Sequence, residues 1–362
     1  MSGRPILIMA GGTGGHVYPA LAVADALRDR AQDVVWLGTR RGLEARVVPA
    51  AGIEIEWIRI SGLRGKGLAT RLLAPFRLLA ALSQSLRVMA RRRPAAVLGM
   101  GGFVSGPGGV AAWLTGRPLI IHEQNAVPGL TNRLLAGFAR VVLQAFPGSF
   151  SSRIPARTVG NPVRRDIAAL PPPAERLEGR SGPLRLLVLG GSQGARALNR
   201  LVPDALALLA PGQRPEVRHQ AGERTLDVAR DAYRAADVAA EISPFIDDMA
   251  GAYAWADLVI CRAGALTVAE VAAAGLPAVF IPFPAAVDDH QTANASVLVE
   301  AGAALIVQER DLSAEILVDS IRELGSDRDR LLVRAEKARA VASPRALETI
   351  ADICLEAAGG ET

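Results

Sequence analysis

Cysteine is nearly missing from this chain of 362 residues: Cys261 and Cys354 are the only two, far apart in sequence. That spacing fits neither a metal knuckle nor a redox pair, so both thiols are expected reduced, in a cytosolic setting. Long apolar runs are missing too. No window reaches the ~18 uninterrupted apolar residues of a membrane span. The run at residues 6–10 is shorter than the roughly 7–15 residues of a signal-peptide core, so no secretory leader is expected. The four histidines, His16, His122, His219 and His290, lack metal-ligand spacing. Asp327-Arg328-Asp329 reads as a solvated helix start. No metal and no other cofactor is expected. Aromatic residues are 4% of the chain, with no aromatic-interleaved basic tract on which bases could stack, which argues against nucleic acid.

One stretch lacks acid altogether. Between Glu56 and Glu123 there is no Asp or Glu, while Arg59, Arg64, Lys66, Arg71, Arg77, Arg87, Arg91, Arg92, Arg93 and Arg117 all fall there. Residues 1–160 hold 20 Lys/Arg against 7 Asp/Glu, and residues 161–362 hold 21 against 29, within a net charge of +5. A one-signed half points to an anionic partner, with a merely solvated basic face as the plain alternative.

What is present is a repeated plan. AGGTGGH (10–16) follows the first apolar run, and GGSQGAR (190–196) follows a second at 184–189. An offset of 179 residues carries Gly11-Gly12-Thr13 onto Gly190-Gly191-Ser192 and Asp25-Ala26-Leu27 onto Asp204-Ala205-Leu206. Further strand-like runs stand at 34–37, 96–100, 119–122 and 141–144, then at 217–220, 258–261, 278–282 and 304–307. Apolar strands alternating with Ala/Leu-rich helical stretches predict an α/β fold of two Rossmann-like domains with parallel sheets, ligands gathering in a cleft at the strands' carboxyl ends. A length above ~250–300 residues also suggests two domains. They are expected at 1–160 and 161–343, with a last helix, about 344–362, folding back on the first. The Pro/Gly-rich stretch 171–183 is expected to be loop.

AGGTGGH departs from the G-x-G-x-x-G fingerprint, because Val17 stands where a third glycine belongs. No ribose-binding acid ends the next strand, and an NAD enzyme is excluded on both counts. Glycines between strand and helix still let backbone N–H groups face an anion, and the theme recurs in GMGGFVSGPGG (99–109). A ligand-free tight turn is the plain alternative. His16 follows such a turn, and an imidazole ordinarily titrates near ~6.5, suited to taking a proton from a sugar hydroxyl. His122 and Glu123 close another strand and form a second acid/base candidate. Thr267-x-x-Glu270 is either a capping box or a ribose ligand. Residues 68–90 carry apolar positions interrupted by Arg71, Arg77 and Arg87, a basic amphipathic helix fit for an anionic bilayer or for its own sheet.

Taken together, AGGTGGHVYPALAVA, WLGT, ISGLRGKG, VLGMGGFVSGPGG, HEQNAVPGLTNRLLA, QAFPG, VGNPVR, VLGGSQGARALN, FIDDMAGAYAWADLVICRAGALTVAEVAAAGLPAVFIPF and DDHQTANA resemble the MurG family of peripheral glycosyltransferases. The likeness runs nearly end to end. It implies a GT-B fold, an inverting and metal-independent transfer, UDP-N-acetylglucosamine as donor and lipid I (undecaprenyl-pyrophosphoryl-N-acetylmuramyl-pentapeptide) as acceptor. Lipid II and UDP would be the products, made at the cytoplasmic face of the inner membrane beside other cell-wall synthesis proteins. By position, Thr13, Gly14 and Gly15 would join the sugar-nucleotide site and Asn125 would hold sugar hydroxyls. Arg164 and Ser192 would meet the diphosphate, Ile246 the uracil, Ala265, Leu266 and Thr267 the phosphates, and Glu270 the ribose. Gln291 or His290 would touch the sugar. The first domain would take the acceptor diphosphate at Gly101, Gly102 and Ser105, and the membrane through Arg64, Lys66, Phe76, Leu79 and Trp113. His16 is the candidate base, with Glu123 and His122 as alternates. Two rivals stand beside this reading: a UDP-N-acetylglucosamine 2-epimerase, which leaves the acid-free half unexplained, and a non-catalytic binder of anionic surfaces.

Overall fold

The computed structural model describes residues 3–60, 73–191, 194–284, 289–325 and 327–359. It divides into two compact units, one of Met1–Pro162 with Arg345–Thr362, the other of Val163–Pro344. In the first, β1 (Ile6–Met9), β2 (Val34–Gly38), β3 (Glu54–Trp57), β4 (Ala96–Gly99), β5 (Leu119–Glu123), β6 (Val141–Gln144) and β7 (Ala156–Thr158) form one sheet in the order β3-β2-β1-β4-β5-β6-β7. Every pairing is parallel, with Ile6 beside both Val34 and Ala96. Both faces of such a sheet must be covered, which is why the inner strands are apolar along most of their length, with polar residues only at the carboxyl ends of β5 and β6. Leu7 and Met9 enter one core with Leu37, Val97 and Ile121. Ile6 and Ile8 enter the other with the helix Gly14–Arg28 and the last helix, Ala346–Gly359. That last helix buries Leu347, Ile350, Ile353 and Cys354 there.

The second unit repeats the plan with β8 (Arg185–Leu189), β9 (Glu216–Gln220), β10 (Glu241–Ser243), β11 (Leu258–Cys261), β12 (Ala278–Phe280) and β13 (Ala304–Ile306), ordered β10-β9-β8-β11-β12-β13 and parallel throughout. The strands absent from the sequence reading, β3, β7 and β10, are short and carry Glu54, Glu56, Arg157 or Glu241. Each lies at a sheet edge, where one side is open to solvent and no apolar run is needed.

The stretch 171–183 is not all loop. It contains the helix Pro173–Leu177, opened by proline at its first positions. Arg176 then donates to the carbonyls of Tyr253, Ala256, Ala274 and Gly275, and Arg180 to that of Trp255. Two arginines thus cap the ends of two neighbouring helices, whose last carbonyls have no partner within the helix. Burial lowers the Arg176 guanidinium to about 10. Both cysteines are free and buried. Among the described residues no helix is long and apolar enough to cross a membrane.

Candidate active site

Two glycine turns meet at the carboxyl end of β1 and β4. Gly12, Gly101 and Gly102 all have positive φ, at 93°, 96° and 84°. A Cβ on Gly102 would come within 2.2 Å of the Gly11 carbonyl oxygen, and one on Gly101 within 2.7 Å of His16 Nδ1. Only glycine permits that closeness. A buried carboxylate ties the first turn to the next strand. Glu44 accepts from Gly12 N (3.0 Å), Thr39 N (3.0 Å) and the Thr39 hydroxyl (2.7 Å). Thr13 is the exposed N-cap of the helix Gly14–Arg28, and its own side chain makes no cap. The N–H groups of Gly14 and Gly15 are therefore among the unpaired donors that begin a helix, with no acidic residue in the first turn.

His16 sits in that first turn, partly exposed, with Nδ1 3.0 Å from Gln124 Oε1. His122 and Glu123, the alternates to His16, are both buried. His122 Nε2 donates to the Gly160 carbonyl (2.9 Å) and Nδ1 meets Gln124 Nε2 (3.1 Å). Burial drops its pKa to about 4. Glu123 accepts from Asn125 N, Asn125 Nδ2, Gly129 N and Asn132 Nδ2, at 2.9–3.1 Å. It braces the loop after β5, both of its oxygens accepting from that loop. Ser105 is fully buried, and its hydroxyl lies 3.1 Å from the Met9 carbonyl and 2.9 Å from that of Gly101. Asn125 stays half-exposed at the head of its loop.

In the second unit the helix start excludes a capping box at Thr267-x-x-Glu270. The helix Ala265–Ala274 has Gly264 as N-cap, so Thr267 lies inside the first turn and Glu270 cannot box the cap. Glu270 instead accepts from the Tyr253 hydroxyl at 3.1 Å. Burial raises its carboxyl above the ordinary range, opposed by the Arg164 cation and the Tyr253 hydrogen bond. Arg164 is half-exposed, 3.9 Å from Asp166. Ala265, Leu266 and Thr267 are the first three residues of a ten-residue helix with no acid in its first turn, the arrangement that receives a phosphate. Ile246 lies in the loop after β10, and none of the described residues bonds its backbone N–H or C=O. Gln291 Oε1 accepts from Ala263 N (3.2 Å) and Phe283 N (2.8 Å). That bridge between β11 and β12 leaves its Nε2 without a bond to any described residue. His290, the residue before it, opens the helix His290–Glu300. At the second glycine turn a pocket of about 370 Å³ is lined by Gly194, Arg196, Arg224, Arg262 and Phe283. Ser192, Arg64 and Lys66 lie outside the described residues.

The acid-free stretch is partly neutralised within the fold. Arg91 and Arg92 pair with Glu56, and Arg92 also with Glu54, both carboxylates on β3. Arg59, Arg77, Arg87 and Arg93 remain exposed, together with large apolar side chains. Phe76 is 71% and Leu79 63% exposed at the start of the helix Ala74–Arg92, while Leu82 and Leu86 are half-buried and Met89 buried at its far end. That helix packs on Ser105–Leu114, which packs on Leu130–Leu135. Trp113, Leu114, Leu130, Leu134 and Phe138 extend the exposed set, with the Trp113 and Phe138 rings 5.0 Å apart. Residues 68–72 of the expected amphipathic helix lie outside the described residues. Among the described residues no three His, Cys, Asp or Glu side chains group as metal ligands.

Sequence reasoning passed over Glu44 and Tyr253, and took Gln124 only as part of the polar cluster His122-Glu123-Gln124-Asn125 that follows a strand. Of the two passed over, only Glu44 left a signal: it is the one acidic residue between Asp33 and Glu54 and stands just after a strand and its turn.

Comparison with known proteins adds the chemistry. Residues 6–144 match the glycosyltransferase family 28 N-terminal domain and residues 185–351 its C-terminal domain. The chain is 61% identical, over 98% of its length and 99% of the relative's, to the UDP-N-acetylglucosamine–N-acetylmuramyl-(pentapeptide) pyrophosphoryl-undecaprenol N-acetylglucosamine transferase of Alkalilimnicola ehrlichii. The same-named protein of Nitrosococcus oceani is 59% identical, again over 98% and 99% of the two chains. The crystal structure of Acinetobacter baumannii MurG superposes with a TM-score of 0.86 at 43% identity, covering 98% of this chain and 99% of that one.

Proposed function

The chain belongs to the MurG family of family 28 glycosyltransferases, and we propose from that membership how its residues divide the reaction. It transfers N-acetylglucosamine from UDP-N-acetylglucosamine to lipid I, giving lipid II and UDP. The fold is GT-B.

The second unit holds the donor. Glu270, seated against Tyr253 and Arg164, takes the ribose hydroxyls. Ile246 offers to the uracil a backbone that no described residue bonds, and Gln291 offers to the sugar an Nε2 that no described residue bonds, which favours Gln291 over His290. The helix start at Ala265, Leu266 and Thr267, with Arg164 and the turn that contains Ser192, faces the diphosphate. As the bond from C1 to the β-phosphate oxygen breaks, negative charge grows on UDP. Fixed N–H groups and Arg164 stabilise that charge without reorganising.

The first unit handles the acceptor and the proton. Thr13, Gly14, Gly15 and Asn125 border the sugar, while Gly101 and Gly102 offer backbone to the acceptor diphosphate. The muramyl 4-hydroxyl oxygen bonds to C1 with inversion as its proton passes to His16 Nε2. Phe76, Leu79 and Trp113 dock the unit on the anionic cytoplasmic face of the inner membrane, where the acceptor's lipid tail stays. One observation carries the assignment of the base: of His16, His122 and Glu123, only His16 is exposed with an atom no described residue claims. His16→Ala should lower kcat by roughly 10²–10⁴-fold with KM for the donor largely kept. Steady-state rates on a short-chain lipid I analogue test it, and an unchanged kcat removes His16 from the role.

A further inference from the structure

We infer that Gln124, backed by His122, is a positioning residue that fixes the tautomer of His16, keeping the proton on Nδ1 and leaving Nε2 as the basic nitrogen. The inference rests on the reading of His16 as the base. The hydrogen bonds run in one direction only. Two carbonyls anchor them, because a carbonyl accepts and never donates. The Gly160 carbonyl lies 2.9 Å from His122 Nε2, so that nitrogen carries hydrogen. His122 is neutral at working pH, since burial lowers its pKa to about 4. Its Nδ1 is therefore a bare acceptor.

The second anchor is the backbone carbonyl of His122, 3.2 Å from one end of the Gln124 amide. That end must be the NH₂, which also gives its other hydrogen to His122 Nδ1 at 3.1 Å. Gln124 is buried, and a turned-over amide would set its oxygen against the His122 carbonyl, so this orientation is fixed; Asn161 Nδ2 holds the Gln124 backbone carbonyl at 3.0 Å. Its Oε1 then faces His16 Nδ1 at 3.0 Å and can only accept. His16 Nδ1 must be the N–H. The Gly101 backbone closes against the same ring edge, where a Cβ would come within 2.7 Å.

The arrangement suits a single proton transfer. When the acceptor hydroxyl gives its proton to Nε2, Nδ1 is already protonated and keeps its bond to Gln124, so nothing behind the ring rearranges. A neutral amide sets orientation without adding a negative charge next to the ring.

The test begins with the unaltered protein. Nitrogen-15 histidine labelling with long-range proton–nitrogen correlation reads the tautomer of each ring, and only four histidines have to be assigned. The expected result is Nδ1–H for neutral His16 and Nε2–H for His122. Predominant Nε2–H on His16 overturns the inference, whatever any variant does. In Gln124→Leu the His16 signal should move toward Nε2–H and kcat should fall at least ~10-fold, with donor KM within about twofold. A fall in kcat with the tautomer unmoved also overturns it, because the effect would then be packing. If instead His16→Ala retains kcat while the unaltered protein shows Nδ1–H, the base assignment fails and the hydrogen-bonded chain stands as structure alone.

Discussion

The same strand, glycine turn and helix open both units, and the two copies are finished differently. In the first, GGTGGH is braced from three sides: Glu44 holds Gly12, Gly102 presses on Gly11, and Gln124 holds His16. In the second, Gly191 has positive φ, at 77°, and open space where a Cβ would stand, as Gly12 does in the first, while Gly194 is packed against Thr225 and the Ala221 carbonyl. The residue 179 places after His16 is Ala195, a buried N-cap with no chemistry. Both turns are packed, and only the first is packed around a titratable side chain. A base needs a fixed position relative to the atom it deprotonates, whereas a phosphate needs only approachable N–H groups.

Breaking the bracing should separate the two turns most strongly. Gly102→Ala must relieve a 2.2 Å contact with backbone as well as its left-handed φ, a cost of about 4 kcal/mol or more. Gly191→Ala bears only the φ penalty, about 1–2 kcal/mol. Urea unfolding followed by tryptophan fluorescence suits the comparison, since Trp36, Trp57 and Trp113 lie in the first unit and Trp255 in the second. Equal midpoint shifts for the two variants would mean that Gly102 is no more tightly held than Gly191.

A second contrast concerns buried histidines, one in each unit. His122 is part of the chain leading to His16, while His219 is enclosed by Asn199 and Tyr233, with its pKa down at about 3 and nothing further to pass on to. Both remain neutral when folded and take a proton near ~6.5 when unfolded. The unfolded chain therefore binds more protons below that pH, and stability is lost as pH falls from ~6.5 toward about 4 for His122 and about 3 for His219. At pH 5 each should cost about 2 kcal/mol relative to pH 8. Thermal melts across that range check the slope, and His219→Gln should flatten it in the second unit only. Melting temperatures unchanged between pH 8 and pH 5 would contradict neutral burial of both rings.

The inner strands were readable because burial on both faces favours apolar runs, so β1, β2, β4, β5, β6, β8, β9, β11 and β12 fall within two residues of expectation, as does β13, an edge strand that is itself apolar. The charged edge strands were not, since Glu54 and Glu56 on β3 look like surface until Arg91 and Arg92 are seen beside them. In the site, His16 and the glycines announced themselves by composition. The ribose role proposed for Glu270 came from the family resemblance and not from spacing, and the helix start at Gly264 removed the capping alternative. Local sequence does not say whether a polar residue at a strand end points to solvent or into its own loop. His122 and Glu123 close β5 as a ligand pair would, and the loop at Asn125, Gly129 and Asn132 claims Glu123. Gln124 and Glu44 reach the first glycine turn through partners distant in sequence, His16 and Gly12.

The smallest expected effect lies on the surfaces. Exposed large apolar side chains in the second unit, such as Leu208, Ile316 and Val333, come singly along the chain. Those of the first unit come in sets on three successively packed helices, from Leu73, Phe76, Leu78 and Leu79 through Trp113 and Leu114 to Leu130, Leu134 and Phe138. Scattered apolar residues are ordinary on a soluble surface, while a contiguous patch marks a contact. A bilayer receives such side chains only to headgroup depth, so each should contribute about 1 kcal/mol, below the ~1.5–3 kcal/mol of full burial. Phe76→Ser and Leu79→Ser should each weaken binding to vesicles of mixed anionic and zwitterionic phospholipid by about fivefold, and Leu208→Ser should leave it unchanged. Sedimentation with vesicles measures all three. If Leu208→Ser weakens binding as much as the other two, the apolar surface of the first unit has no special claim on the membrane, and its net positive charge would have to carry the attraction alone.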